Sequence, residues 1–361
     1  MTKKAFYILF TWLILVSSHE EICAQIYGGG SSVFSFMNLP YSARINALGG
    51  DNVALQDGEI SMSMLNPALL NEATDKVLQL NYSYLCPGTM FGSVLYGHNF
   101  GRGKWEKPKD GAPEKPNYMA VGIHYLDYGR MKYANAEGEL TGGTFTAKDI
   151  LIDAIYARQL GKSFTVGVSF KPILSFYETY SSFALGADVG AHYNLPDSTL
   201  HLGLTLRNIG WQLKGFYSDE SGQALENLPL NLELGLSYRF KHAPIRLHMT
   251  IHNIQRWDLG YLLTNQTDEI RPVQWYDMMF RHTIFALDIV PKSDRFWLTV
   301  SYNHRRRAEM QLKDQRSIAG LSFGAGVKIY KFSVAFAMSQ YSRSNFTYQA
   351  SINLDINSLL K

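Results

Sequence analysis

Leu200, Leu202, Leu204 and Leu206 alternate with His201, Gly203, Thr205 and Arg207, and the same beat recurs along most of the chain. Leu230, Leu232, Leu234 and Leu236 alternate with Asn231, Glu233, Gly235 and Ser237. Ile245, Leu247, Met249 and Ile251 alternate with Arg246, His248, Thr250 and His252, and Tyr348, Ala350, Ile352, Leu354 and Ile356 with Gln349, Ser351, Asn353 and Asp355. Successive side chains on a strand point to opposite faces, so this period of two predicts strands with one apolar and one polar face. Fourteen such segments are predicted, near 76–84, 90–100, 117–128, 146–160, 163–178, 181–193, 198–210, 229–240, 244–256, 280–290, 294–304, 317–328, 331–340 and 346–356. Strands in soluble sandwiches are usually about five or six residues long. These are closer to the roughly 9 to 11 that a tilted strand needs to cross lipid.

The connections carry a second signal. Short turns at Gly161-Lys162, Asn194 to Asp197, Lys241 to Ala243, Pro291 to Ser293 and Ile329-Tyr330 alternate with long polar links near 129–145, 211–228, 257–279 and 305–316. Tight periplasmic turns and longer outer loops, joining an even number of antiparallel strands, are the asymmetry of a bacterial outer-membrane barrel. The link at 101–116, with Pro108, Pro113 and Pro116, breaks the rhythm, because its phase is periplasmic although it is long. Tyr125, Tyr128, Trp211, Tyr238, Phe240, Trp257, Phe296 and Tyr330 fall near segment ends, as interfacial aromatic girdles would.

Composition sharpens the class. The 361 residues include 22 Tyr and 20 Phe with only 18% charged positions, which excludes a mainly disordered chain, and a net charge of +3 gives no argument for nucleic acid. Lys3-Lys4, the apolar run Ala5 to Val16 and Cys23-Ala24 before Gln25 predict a signal peptide over 1–24. Its removal leaves Cys86 alone, so no internal disulfide is expected. No later stretch predicts a transmembrane helix.

Residues 25–75 show little strand alternation, and Gly49-Gly50 and Pro67 interrupt any long helix. A lumen enclosed by fourteen strands is too wide for side chains alone to fill, so this segment is expected inside it as a plug, ahead of a barrel over 76–356 and a tail at 357–361. Ser42-Ala43-Arg44, then Leu48-Gly49-Gly50, then Asn66-Pro67-Ala68 before the first strand resemble the N-terminal hatch of FadL-like outer-membrane proteins. Together with the Phe34-to-Pro40 entry and the last hairpin, the full length most resembles the PorV/PorQ branch of that superfamily, outer-membrane components of the type IX secretion system. The resemblance implies an all-β, 14-stranded antiparallel transmembrane barrel with its hatch in the lumen. It also implies a non-enzymatic role, anchoring a large soluble surface partner of the cargo-attachment complex (PorZ-like) among outer-membrane lipid and lipopolysaccharide. The alternative within the superfamily is transport of hydrophobic small molecules.

Candidate chemistry is sparse. No nucleophile, metal or nucleotide motif is found, so no catalytic, cofactor or metal residues are assigned. His248 and His252 lie on one strand's polar face, roughly 13 Å apart, which suits lumen lining better than a metal pair. His192, His201, Asp188, Arg207, Glu233 and Arg246 are expected to brace the lumen, with Arg44 of the hatch pairing with Asp188 or Glu233. Arg305-Arg306-Arg307, with Lys313 and Arg316, is expected as a cell-surface basic patch that meets lipopolysaccharide or a protein. Trp275-Tyr276, Met278-Met279 and Phe280 form either a contact surface or the top of the tenth strand.

Overall fold

The computed structural model describes residues 32–101, 116–135, 137–195, 197, 199–219, 222–223, 225–259, 274–310, 318–341 and 346–356. The signal segment 1–24, most of the 101–116 link, Lys313, Arg316 and the tail 357–361 lie outside the described residues.

Fourteen antiparallel strands close on themselves: β1 Val77–Cys86, β2 Thr89–Gly101, β3 Asn117–Ala134, β4 Leu140–Gln159, β5 Phe164–Tyr177, β6 Tyr180–Asn194, β7 Leu200–Lys214, β8 Asn231–Arg239, β9 Ile245–Ile251, β10 Thr283–Ile289, β11 Phe296–Asn303, β12 Leu321–Ile329, β13 Phe332–Ser339 and β14 Thr347–Asp355. Each pairs with the next in sequence, and β14 returns to β1 in the register Val77↔Asp355 through Tyr84↔Tyr348. Closure leaves no unpaired edge, the condition for a sheet to span lipid. The β3–β4 hairpin and the end of β9 depart furthest from the periodic reading, and β7 also runs four residues past its expected end, to Lys214. The link expected over 129–145 is mostly a continuation of the β3–β4 hairpin, because Gly129, Gly142 and Gly143 at positive φ interrupt the apolar alternation while backbone pairing resumes as far as Ala134↔Leu140. β9 stops at Ile251, just before Asn253 turns left-handed.

The alternation runs opposite to that of a soluble core. Along β8, Asn231, Glu233, Gly235 and Ser237 are buried while Leu234 and Tyr238 face outward. Leu204, Leu247, Phe285, Val300 and Ile352 are likewise exposed on the outer wall. An apolar band of this extent belongs against lipid. Tyr125, Trp211, Tyr238, Phe240, Phe296 and Tyr330 join that outer surface. Tyr128 does not: it turns inward, its hydroxyl donating to Asp149 Oδ2 at 2.7 Å.

The apolar core belongs to the hatch. Residues 32–76 thread the lumen as short turns, with 3-10 segments at Ser35–Asn38, Ile60–Met64, Pro67–Leu69 and Glu72–Thr74 and a single α-helical turn, α1 Ala43–Ala47. Ser42 Oγ accepts from the Ile45 amide at its start, and Gly49 and Gly50, at φ 92° and 97°, end it. Tyr41, Ile45, Leu48, Leu55, Met62 and Met64 are fully buried against one another and against inner-wall residues such as Phe91 and Leu151.

Wall glycines make room for this packing. A Cβ at Gly203 would overlap the Val53 carbonyl oxygen, and one at Gly190 would overlap Asn66 Oδ1. Asn66 Nδ2 in turn donates to the carbonyls of Val53 and Ala191. At the seam, Glu59 Oε2 accepts from Gln79 Nε2 of β1 at 2.9 Å and from Asn353 Nδ2 of β14 at 2.7 Å, so one hatch side chain bridges the first and last strands.

Candidate functional site

Charges that the strand alternation turns inward gather at three buried nodes, two of which include a hatch residue. The first is Arg44 of α1. Its Nε donates to Asp57 Oδ2 at 2.9 Å, Nη2 to Asp288 Oδ2 at 2.6 Å and Nη1 to Thr299 Oγ1 at 2.7 Å, while its guanidinium lies 4.2 Å from the Trp297 ring centroid. Asp288 is also held by Arg246 Nη2 at 2.8 Å and His248 Nε2 at 3.0 Å. Burial opposes the Arg44 charge, but Asp288 and then Asp57 outweigh it and hold the group above its ordinary range.

The expected pairing of Arg44 with Asp188 or Glu233 is therefore corrected. Asp188 pairs with Lys171, which also approaches Asp153 at 3.7 Å, and this is the second node. Glu233 pairs with Arg207 at 2.8 Å, and Arg207 Nη2 reaches Asp51 of the hatch at 3.3 Å, which is the third. The route of the hatch through the lumen decides these partners. Gly203 and Gly235 let the Val53–Ala54 backbone approach β7 and β8, which sends α1 across to β11–β14 instead.

The other inward residues fall where the alternation placed them. His192 and His201 stack with ring centroids 5.4 Å apart. His248 joins Ser237 to Asp288, and His252 is buried one residue beyond β9. Among the described residues, no group of three His, Cys, Asp or Glu side chains is arranged for a metal. Asp57, Asp288, Trp297, Lys171 and Asp153 were not singled out from the sequence. Asp288 carried a readable signal, an acid on the inward beat of Phe285-Ala286-Leu287-Asp288-Ile289.

A cavity lies at each mouth. The outer one, about 930 Å³, is bounded by Gly50 and Asp51 of the hatch, by Arg207, His252 and Ile284, and by Trp257, which stacks on His282. The inner one, about 600 Å³, is bounded by Asp57 and Glu59 of the hatch and by Arg239, Arg295 and Lys331. Partial burial, and next the Asp57 carboxylate, push Glu59 up to about 7.

Above the outer cavity sit two short helices, α2 Trp275–Arg281 and α3 His304–Met310, joined by Asp277 Oδ1 and His304 Nε2 at 2.6 Å. Trp275 is 70% and Tyr276 53% exposed, while Met278 is buried. The expected basic patch divides here. Arg305 pairs with Glu309, whereas Arg306 turns inward, donates to the Gly49 carbonyl at 2.8 Å and lies 3.7 Å from the Tyr341 ring centroid.

This barrel aligns with solved structures over most of its length. A TodX monoaromatic hydrocarbon channel mutant aligns with a TM-score of 0.51 at 12% identity, over 88% of this chain and 97% of that one. The chain shares the barrel fold of that channel. The Pseudomonas putida toluene transporter TodX aligns with a TM-score of 0.48 at 13% identity, over 87% and 96% of the two chains. A Pseudomonas aeruginosa FadL homologue gives 0.42 at 10% identity, over 82% and 94%. No protein-family model and no curated protein sequence matches the chain. The likeness is thus one of fold: a closed antiparallel barrel, which in this chain grips a hatch with its inner wall.

Proposed function

We propose that this barrel conducts small, mainly apolar organic molecules across the outer membrane, with the hatch as its gate. The observation that carries the reading is the placement of two cavities at opposite mouths of the lumen, both bounded by hatch residues. The hatch between them is fastened to the wall by polar contacts, which can be exchanged without tearing strands apart. Leu228, Leu230, Ile284 and Met310 give the outer cavity apolar walls, and the fold is shared with a protein described as a monoaromatic hydrocarbon channel.

The test is to lock the hatch. The Ala43 amide donates to Ser351 Oγ of β14 at 2.9 Å, so cysteines at 43 and 351, in a background with Cys86→Ser, are placed to cross-link hatch and wall. Uptake of radiolabelled propylbenzene by intact cells should fall at least tenfold on oxidation and recover with reductant. Equal uptake in both states would overturn the channel.

A second reading has its own observation, the exposed Trp275 and Tyr276 on α2 above the outer mouth, since aromatic side chains are enriched in interface hot spots. In that reading the barrel is a PorQ-like anchor of the type IX secretion system that holds a PorZ-like partner at the surface. A mild-detergent pulldown that recovers a large exported protein, lost in Trp275→Ser/Tyr276→Ser, supports the anchor. Recovery of the barrel alone removes it.

A further inference from the structure

His282 lies between the end of α2 and the start of β10 and is only 3% exposed, so water does not separate its ring from its neighbours. Both ring nitrogens are engaged. Nδ1 is 2.8 Å from the His252 carbonyl oxygen, and Nε2 is 2.9 Å from the Trp257 carbonyl oxygen. A carbonyl oxygen only accepts, so both nitrogens must donate. A neutral imidazole carries one N–H whichever tautomer it adopts, and an imidazolium carries two. Either neutral form would set a nitrogen lone pair against an oxygen lone pair at hydrogen-bond distance. The Trp257 indole also stacks on this ring, with centroids 5.1 Å apart and 19° between planes, where a cation gains from an aromatic face.

The two acceptors are unequally anchored. His252 is fixed by its own amide, which donates to the His282 carbonyl at 2.9 Å. The next residues lean on the strand entry before β8, where the Ile254 amide meets the Leu232 carbonyl and Gln255 Nε2 the Leu230 carbonyl. Trp257 lies beyond these ties, at the edge of the outer cavity. A neutral His282 therefore keeps its one N–H on His252 and gives up Trp257.

The charged and titratable groups on the surrounding elements have other partners. Asp277 of α2 is shared by Arg281 Nε at 2.7 Å and by His304 Nε2 of α3 at 2.6 Å. Arg305 of α3 pairs with Glu309. The His252 ring, with its centroid 6.3 Å from that of His282, is neutral, because its Nδ1 accepts from Asn253 Nδ2 at 2.6 Å. Beside Trp257, Arg256 Nε donates to the Asp258 carbonyl. The contacts on the two His282 N–H groups are backbone carbonyls, which bring no full charge.

We propose that His282 is a pH-operated clasp: as an imidazolium it pins Trp257 at the rim of the outer cavity, and on losing a proton it lets that rim go. The clasped state holds a proton that the released state has lost, so the clasp is favoured on the acid side and loosens as pH rises. It acts on the mouth whatever passes through, so its test needs no transport.

The test is Trp257 emission in the full-length protein in lipid nanodiscs, taken as wild type minus Trp257→Phe, between pH 5 and 9. An imidazolium quenches a stacked indole more than a neutral imidazole does, so this difference should rise about twofold with pH. His282→Gln should show the high emission at every pH, and His304→Gln should keep the wild-type rise. In the wild type, hydrogen exchange at residues 256–259, corrected for its intrinsic pH dependence, should lose about tenfold in protection over the same range. A flat difference signal, unchanged protection, or the same rise in His282→Gln overturns the clasp. Loss of the rise in His304→Gln assigns the titration to the α2–α3 contact and overturns it as well.

Discussion

Arg44 and Arg207 are both buried arginines at the boundary of hatch and wall, and they are finished differently. Arg44 spends every nitrogen, on Asp57, Asp288 and Thr299, and a Trp297 ring covers its face. Arg207 bonds Glu233 and Asp51 through Nη2 and leaves Nε without a partner beside a 930 Å³ cavity. Removing either charge would strand carboxylates, so both matter to folding. Only the second keeps unspent hydrogen-bonding capacity. A saturated node fastens, and the other is left with a buried N–H that neither hatch nor wall accepts.

The sharpest way to break this contrast is Arg44→Met. It strips Asp57 of its nearest cation and leaves Asp288 to Arg246 and His248, and breaking a buried pair costs about 3–5 kcal/mol. Hydrogen exchange across residues 43–70 should rise to that of an undocked segment while the barrel keeps its heat-modifiable gel mobility. Unchanged protection would show that packing, not this node, holds the hatch. Next comes Gly203→Val, whose Cβ meets the Val53 carbonyl, with an expected cost of about 1–3 kcal/mol to hatch docking. Gly161→Ala, where an added Cβ meets nothing within 4 Å, should have no effect in the same assay.

The smallest effect concerns the seam. Glu59 is raised from 4.5 to about 7 in the docked hatch, so between those values the docked state holds a proton that the released segment has lost. Docking is therefore favoured below pH 4.5, weakens as pH rises through the window and loses this contribution above 7. Hatch protection measured from pH 5 to 8 should fall in the wild type and stay flatter in Glu59→Gln, and an identical slope in both would assign the effect elsewhere.

Period two made the wall legible. It placed His201, Arg207, Glu233, Arg246 and His248 on inward beats, and strand length with loop rhythm said that the other face meets lipid. It failed where backbone pairing outlasted the apolar pattern, as at Met131↔Phe145 beyond Gly129. The hatch was legible as a different kind of segment, and Arg44 as an ion-pair former, but not its partner. Short 3-10 turns have no period to extrapolate, and the path that brings Arg44 to Asp288 is set by wall glycines whose partners lie more than a hundred residues away. The unpartnered Arg207 Nε was beyond reach altogether, since an unmade hydrogen bond appears only when every neighbour is in place.

The Glu59 bridge between Gln79 and Asn353 bears on how the molecule is assembled. The β1–β14 seam is the one wall junction that joins strands distant in sequence, so no hairpin loop ties it. Glu59, 18 residues before Val77, reaches both sides of it through Gln79 and Asn353. The plug thus supplies the tie that the chain's own turns cannot, and closing the wall and seating the plug draw on the same side chain.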